Sequence, residues 1–233
     1  MARKDRKQIF QLQNRSLISM TTPKSPIAEQ FRTIRTNIQF SSIDKELQTI
    51  IVTSSGPGEG KSTTTANLAV VFAQQGKRVL LMDADMRKPT VHYTFRIENH
   101  KGLSNVLTRQ ATLGEAVNVT SQDNLWVLSS GPIPPNPSEL LGSKGMIALL
   151  EQAKDEYDIV ILDTPPVLAV TDAQILSNVA DGVVLVVSSG KTEVDSAKKA
   201  KELLESAKAK IMGVVLNNKK VQDSQHYYYY GEK

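Results

Sequence analysis

From residue 25 to residue 217 the chain alternates short apolar runs with longer amphipathic stretches. QTIIVTS (48–54), RVLLMDAD (78–85), LWVLSS (125–130), DIVILD (158–163), GVVLVVSS (182–189) and KIMGVVLN (210–217) each predict a strand. These runs are apolar throughout rather than every second residue, the pattern of parallel strands buried on both faces. KSTTTANLAVVFAQQG (61–76) predicts a helix stopped by Gly76, and MIALLEQAKDEY, TDAQILSNVA and EVDSAKKAKELLESAKA predict three more. Short helical pieces are expected around GLSNVL and LGEAV, with an extended loop over GPIPPNPSEL. Ahead of the first strand, Ser25 and Pro26 combine a capping serine with a proline at the first helical position. Ile27, Phe31, Ile34 and Ile38 then repeat at helical spacing, and Glu29, Arg32 and Arg35 fall on a neighbouring flank. Repeated strand–helix units predict an α/β fold: a doubly wound, mostly parallel sheet with helices on both faces. The expected divisions are a basic arm over residues 1–24, one domain over 25–220 and a flexible tail over 221–233.

Composition narrows the chemistry. Hydrophobic residues make up 40% and charged residues 22% of 233, ordinary for a globular chain with a well-buried core. There is no cysteine, which excludes a disulfide scaffold, a thiolate zinc site and a cysteine nucleophile. Three histidines leave little room for a His-rich metal site. No apolar run approaches the roughly 20 residues of a membrane span, and the N-terminus lacks the apolar stretch of a signal peptide. A cytoplasmic location is therefore expected. Of the formal net charge of +4, much lies early, in Arg3, Lys4, Arg6, Lys7, Arg15 and Lys24. Such an arm either contacts an anionic surface such as a membrane or merely solvates the chain. No aromatic residues interleave with it as a nucleic-acid stacking platform needs, so no nucleic-acid partner is expected.

Between the first strand and its helix lies SSGPGEGKST. The pattern is that of a phosphate-binding loop, with Ser55 in place of its first glycine. Gly58 and Gly60 allow the backbone around Glu59 to turn its N–H groups toward an anion. The helix that begins at Lys61, Ser62 and Thr63 adds its positive end. Lys61 supplies charge for the outer phosphates of ATP, and Ser62 a hydroxyl for Mg²⁺.

Carboxylates stand at the ends of two other strands. Asp163 closes DIVILD, where an aspartate reaches Mg²⁺. Asp83 and Asp85 close VLLMDAD; while the chain stays extended they point to one side, and two carboxylates there repel unless a cation or donor intervenes. Beside a phosphate loop this pair reads as a place to hold Mg²⁺, with Asp85 as ligand, and to accept a proton from an attacking hydroxyl. Either Asp83 or Asp85 can be that base. Asn217 ends the last strand, where its amide reads adenine or simply finishes a turn.

These residues together resemble the bacterial P-loop protein-tyrosine kinases of capsule and exopolysaccharide synthesis, in the Gram-positive arrangement with a separate membrane activator. The resemblance runs from about Ser25 to the end. It rests on Ser55 leading into PGEGKS, on VLLMDADMR with its D-x-D-x-R ending at Arg87, on VILDTPP, on EQFRTIR with Glu29, Arg32 and Arg35 as an oligomerisation motif, on GPIPPNPSELL, and on the terminal cluster Tyr227, Tyr228, Tyr229 and Tyr230. It implies a Mg-ATP-dependent kinase that phosphorylates those tyrosines in trans within a ring of subunits, and that acts on protein tyrosine substrates. It also implies a membrane partner whose cytoplasmic tail completes the nucleotide site and recruits the kinase to the inner face of the membrane, and a phosphatase that resets the cycle. Two other readings stand beside it. One is a switch ATPase like those that partition chromosomes or place the division site, whose loop usually carries a second lysine where Gly56 stands here. The other is a non-catalytic assembly regulator.

Overall fold

The computed structural model describes residues 17–41 and 47–219. Seven strands form one sheet: β1 (Thr49–Ser54), β2 (Val79–Asp83), β3 (Val117–Val119), β4 (Leu125–Leu128), β5 (Ile159–Asp163), β6 (Gly182–Ser188) and β7 (Ile211–Asn217). Across the sheet they run β3-β4-β2-β5-β1-β6-β7. Every neighbouring pair is parallel except β3 with β4. The expected doubly wound α/β architecture is therefore present. Central strands bury both faces, as their unbroken apolar character implies. Ile51, Leu80, Met82, Val160, Leu162 and Leu185 pack on one side, under the Lys144–Glu156 and Val194–Ser206 helices. Ile50, Val52, Leu81, Val127, Ile161 and Val184 pack on the other, under the Lys61–Ala73 helix.

Helix starts follow local chemistry. Ser25 Oγ accepts from Ala28 N at 3.2 Å, and Pro26 opens the Pro26–Phe40 helix. The helix after β1 starts at Lys61, with Gly60 before it at φ +92°. β3 escaped the sequence reading. It has three residues, lies at the sheet edge and is nowhere fully buried, so it carries no period-2 signal.

The arm over residues 1–24 needs one correction. Its last part is structured: Ile18–Thr21 is a helical turn, and Leu17 and Ser19 are buried. Ser19 N donates to Asn67 Oδ1 at 2.9 Å, and Gln74 Nε2 donates to Ser19 O at 2.9 Å. Asn67 of the Lys61–Ala73 helix and Gln74 at its C-terminal cap thus capture a stretch without hydrophobic periodicity. Arg3, Lys4, Arg6, Lys7 and Arg15 lie outside the described residues, as do Tyr227–Tyr230.

On the Pro26–Phe40 helix, Arg32 pairs with Glu29 and its second guanidinium nitrogen donates to Pro23 O at 2.7 Å. Arg35 leaves that pair and donates to Val71 O at 2.8 Å. The expected flank is thus divided, two residues at the surface and one clamped onto the neighbouring helix. Ile38 is buried, whereas Ile27 is 49% exposed. Among the described residues no helix is long and apolar enough to cross a membrane.

Candidate active site

The sheet brings the candidate residues together at the C-terminal ends of its parallel strands. β1 lies between β5 and β6, and β5 separates it from β2. Val52 of β1 is in register with Asp163, and Asp163 with Asp83. The loop after β1 and the acids after β2 and β5 must therefore share one mouth, the usual position for a ligand in such a sheet.

Lys61 stands at the centre. Its Nζ donates to Asp85 Oδ2 at 2.9 Å, to Asp163 Oδ1 at 3.4 Å and to Ser62 Oγ at 3.2 Å. Burial works against its charge, but Asp163, Asp85 and Asp83 together outweigh that and hold it above the ordinary lysine range. The carboxylates gain less from the arrangement, because one cation is shared among several anions. Burial, followed by the charge of Asp163, pushes Asp83 up to about 7. Burial also raises Asp163, more than Lys61 lowers it.

Asp83 and Asp85 do not act as a symmetrical pair. β2 ends at Asp83, so the extended geometry assumed for both stops short of Asp85. Asp83 is fully buried. Its Oδ2 accepts from Thr90 N and Val91 N, both at 2.9 Å, and its Oδ1 from Asp85 N at 3.3 Å. The donors that make its burial tolerable are backbone groups of the following turn. Asp85 instead faces Lys61, with Lys88 N on its other oxygen at 3.0 Å.

Mg²⁺ fits the residues present. Asp163 Oδ2 is buried without a hydrogen-bond partner, an uncommon and costly state for a carboxylate oxygen. Its companion Oδ1 is shared between Lys61 and Thr65 Oγ1 at 3.3 Å. Among the described residues no three His, Cys, Asp or Glu side chains could hold a metal unaided. That suits Mg²⁺, which takes one or two carboxylates and completes its shell with phosphate oxygens and water. Asp163, Asp85 and Ser62 are the residues that could hold it.

The phosphate loop is shaped by contacts from distant parts of the chain. Gly58 and Gly60 both have positive φ, 74° and 92°. The carboxylate of Glu59 is turned away from any anion: Oε2 accepts from Ser55 N at 2.9 Å and Oε1 from Thr192 Oγ1 at 2.6 Å. Asn217 Nδ2 donates to Glu59 O at 2.9 Å, so the amide considered for adenine holds the loop. Thr63 lies on the first helical turn, its carbonyl accepting from Asn67 Nδ2 at 2.9 Å. Thr192 and Lys191 were not expected, and no local signal announces them, since they act on residues some 130 positions away. A Cβ at Gly60 would collide with the Asn217 side chain, at a φ that costs an L-residue about 1–2 kcal/mol. Gly60→Ala is expected to weaken Mg-ADP binding by more than about tenfold, measured by calorimetry.

Arg87 also finds its role only in the tertiary structure. Its Nε and Nη2 hold Asp172 at 2.9 and 3.1 Å, and Nη2 donates to Ser138 Oγ at 2.7 Å. Asp172 is completely buried. The guanidinium thus ties the loop after β2 to the Pro137–Leu141 and Asp172–Ser177 helices.

The chain is similar to known proteins over most of its length. A family model described as an AAA domain matches residues 47–219. The chain is 58% identical over 219 residues to the tyrosine-protein kinase YwqD of Bacillus subtilis (strain 168), covering 94% of this chain and 92% of that one. The chain belongs to the bacterial P-loop tyrosine-protein kinases. Two solved structures place this family's fold on it. The chimerical protein CapA2B2 aligns with a TM-score of 0.83 at 50% identity, covering 86% of this chain and 88% of that one. The kinase domain of Escherichia coli tyrosine kinase ETK aligns with a TM-score of 0.86 at 33% identity, covering 94% and 85%. In this tyrosine-kinase chain the lysine of the phosphate loop lies within hydrogen-bond reach of Asp85, just after β2, and of Asp163, at the end of β5.

Proposed function

We propose that this chain is an ATP-dependent protein-tyrosine kinase that phosphorylates Tyr227–Tyr230 of a neighbouring copy and thereby regulates the synthesis and export of a capsular or extracellular polysaccharide. The observation that carries this reading is the Lys61 cluster. A buried cation at a phosphate loop faces Asp85 and Asp163, beside a carboxylate, Asp83, with the proton affinity of a base near neutral pH.

The residues divide the work as follows. Lys61 exchanges its carboxylate partners for the outer phosphates of ATP, and the loop from Gly58 to Thr63 holds the same phosphates by backbone N–H groups. Mg²⁺ at Asp163, Asp85 and Ser62 supplies charge neutralisation to the phosphate oxygens when bound. Tyrosine Oη forms a bond to the γ-phosphorus while the bond from that phosphorus to the β-phosphate oxygen breaks. ADP leaves, and the phenolic proton passes to Asp83 or Asp85. Burial pushes the Asp83 carboxyl up to about 7, and Asp85 is released when Lys61 turns to the phosphates.

A ring of copies brings one chain's tail to another's site. The partly exposed Glu29–Arg32 pair and the half-exposed Ile27 on the same helix support a contact there. A membrane protein is the expected activator, holding the kinase at the inner face of the membrane, and a tyrosine phosphatase is the expected antagonist. The division into basic arm, kinase domain and tyrosine tail belongs to the same reading.

The test is incubation of the full chain with labelled ATP, Mg²⁺ and a peptide from its activator's cytoplasmic tail, followed by mass spectrometry of the C-terminal peptide. Label on the tail supports the kinase. Hydrolysis without label supports a switch ATPase, and neither supports an assembly regulator. Each phosphotyrosine adds about −1.5 to −2 charges near a site already rich in aspartate. Phosphorylated protein is therefore expected to scatter light as smaller species than protein in which Tyr227, Tyr228, Tyr229 and Tyr230 are Phe. Equal distributions would defeat the ring-disassembly part of the reading.

A further inference from the structure

Thr192 lies between β6 and the Val194–Ser206 helix, away from every motif of the phosphate loop, yet it is joined to that loop by a chain of short hydrogen bonds. Its hydroxyl donates to Glu59 Oε1 at 2.6 Å and accepts from Ser188 N at 2.8 Å. Glu59 is 5% exposed, and its second oxygen accepts from Ser55 N at 2.9 Å. A buried carboxylate with both oxygens committed fixes the two ends of the loop, Ser55 and Glu59, to one another and to β6.

The outer side of the same loop is held as well. Lys191 Nζ donates to Gly58 O at 3.1 Å and Pro57 O at 3.4 Å, and Asn217 Nδ2 donates to Glu59 O at 2.9 Å. In a planar trans peptide the carbonyl of one residue and the N–H of the next point in opposite directions. Holding the carbonyls of Pro57, Gly58 and Glu59 outward therefore turns the N–H groups of Gly58, Glu59 and Gly60 to the opposite side. A run of N–H groups aimed one way is what an anion-binding loop consists of. Asn218 Nδ2 adds a bond to Ser188 Oγ at 3.0 Å, which ties the end of β7 to the same strand end.

We propose that Thr192 is a positioning residue for nucleotide binding: through the Glu59 carboxylate it holds the phosphate loop in the shape that presents its N–H groups to the phosphates. The Glu59 carboxylate contributes by bridging Ser55 and Thr192 rather than by touching nucleotide. Lys191 and Asn217 act on the same loop from its outer side. The proposal deepens the nucleotide-binding part of the kinase reading and rests on it. It also identifies a place from which nucleotide affinity can be adjusted. Thr192 lines a 310 Å³ cleft beside Ser55, Pro57 and Leu168, and also a 450 Å³ groove between the Val194–Ser206 helix and β7.

The experiment uses the full chain with Mg-ADP, read by calorimetry, so it needs no phosphoryl transfer and can fail while tail phosphorylation stands. Thr192→Val is expected to weaken Mg-ADP about tenfold, the loss of one hydrogen bond to a buried charge. Thr192→Ser, which keeps the hydroxyl, is expected to stay within about twofold. Glu59→Ala is expected to match Thr192→Val, and the double variant to lose no more than the worse single one, because both break the same bridge. In the kinase assay the KM for ATP is expected to rise with kcat changed much less. Unchanged Mg-ADP affinity in Thr192→Val overturns the proposal. So does a Thr192→Ser variant as weak as Thr192→Val, or a double variant whose losses add.

Discussion

Lys61→Met is expected to lower phosphorylation of the terminal tyrosines about 10³-fold, the scale of losing a preorganised cation on a transferring phosphoryl group. That factor corresponds to about 4 kcal/mol of transition-state stabilisation. Among the described residues the side chains that Lys61 bonds are Asp85, Asp163 and Ser62, none of them a cation. The same substitution leaves buried carboxylates without their cation. They respond by binding protons, because Asp83 and Asp163 already sit above the ordinary aspartate range. The variant is therefore expected to fold, and to lose more stability at pH 8 than at pH 5. Single-turnover transfer to the tail and thermal unfolding at both pH values measure the two effects. Undiminished tail labelling in purified Lys61→Met protein would defeat the assignment of phosphoryl transfer to the Lys61 site.

Asp163→Asn separates function from stability. Phosphorylation is expected to fall about 10²-fold, because the carboxylate oxygen placed to meet Mg²⁺ is replaced by an amide. Stability of the nucleotide-free chain is expected to move the other way. A buried aspartate whose folded-state pKa is raised favours the folded state only while protonated. The benefit is complete below its unfolded value and is lost as pH rises through the folded one. In the folded site Asp83, Asp85 and Asp163 crowd around Lys61, and Asp163 Oδ2 has no hydrogen-bond partner. Removing one of these charges is expected to stabilise by about 1–2 kcal/mol at pH 8 and by less at pH 5. For a chain of this size the change is about 2–8 °C in the unfolding midpoint. A lower midpoint at pH 8 would show that Lys61 binds Asp163 more strongly than burial penalises it.

Both effects depend on how the chain encodes its site. The sequence alone determined six of the seven described strands, the start of the Pro26–Phe40 helix and the phosphate loop. Each is written in neighbouring residues: apolar runs long enough for buried strands, Ser25 before Pro26, and Gly58 and Gly60 where positive φ is needed. It also determined that Asp83 and Asp163 lie at the catalytic mouth, because residues ending parallel strands gather at one end of the sheet. Only the tertiary structure decided which of these groups meet. Lys61 bonds Asp85 and Asp163, while Asp83 is taken up by the N–H groups of Thr90 and Val91. Glu59 faces Thr192, Asn217 faces the loop carbonyl, and Arg87 faces Asp172. These partners lie far apart in the chain, and the strand order β2-β5-β1-β6-β7 brings them together. Local spacing fixes a residue's backbone state and the end of the element it occupies. Which side chain stands across from it depends on which strands are neighbours, and that follows from packing the whole sheet.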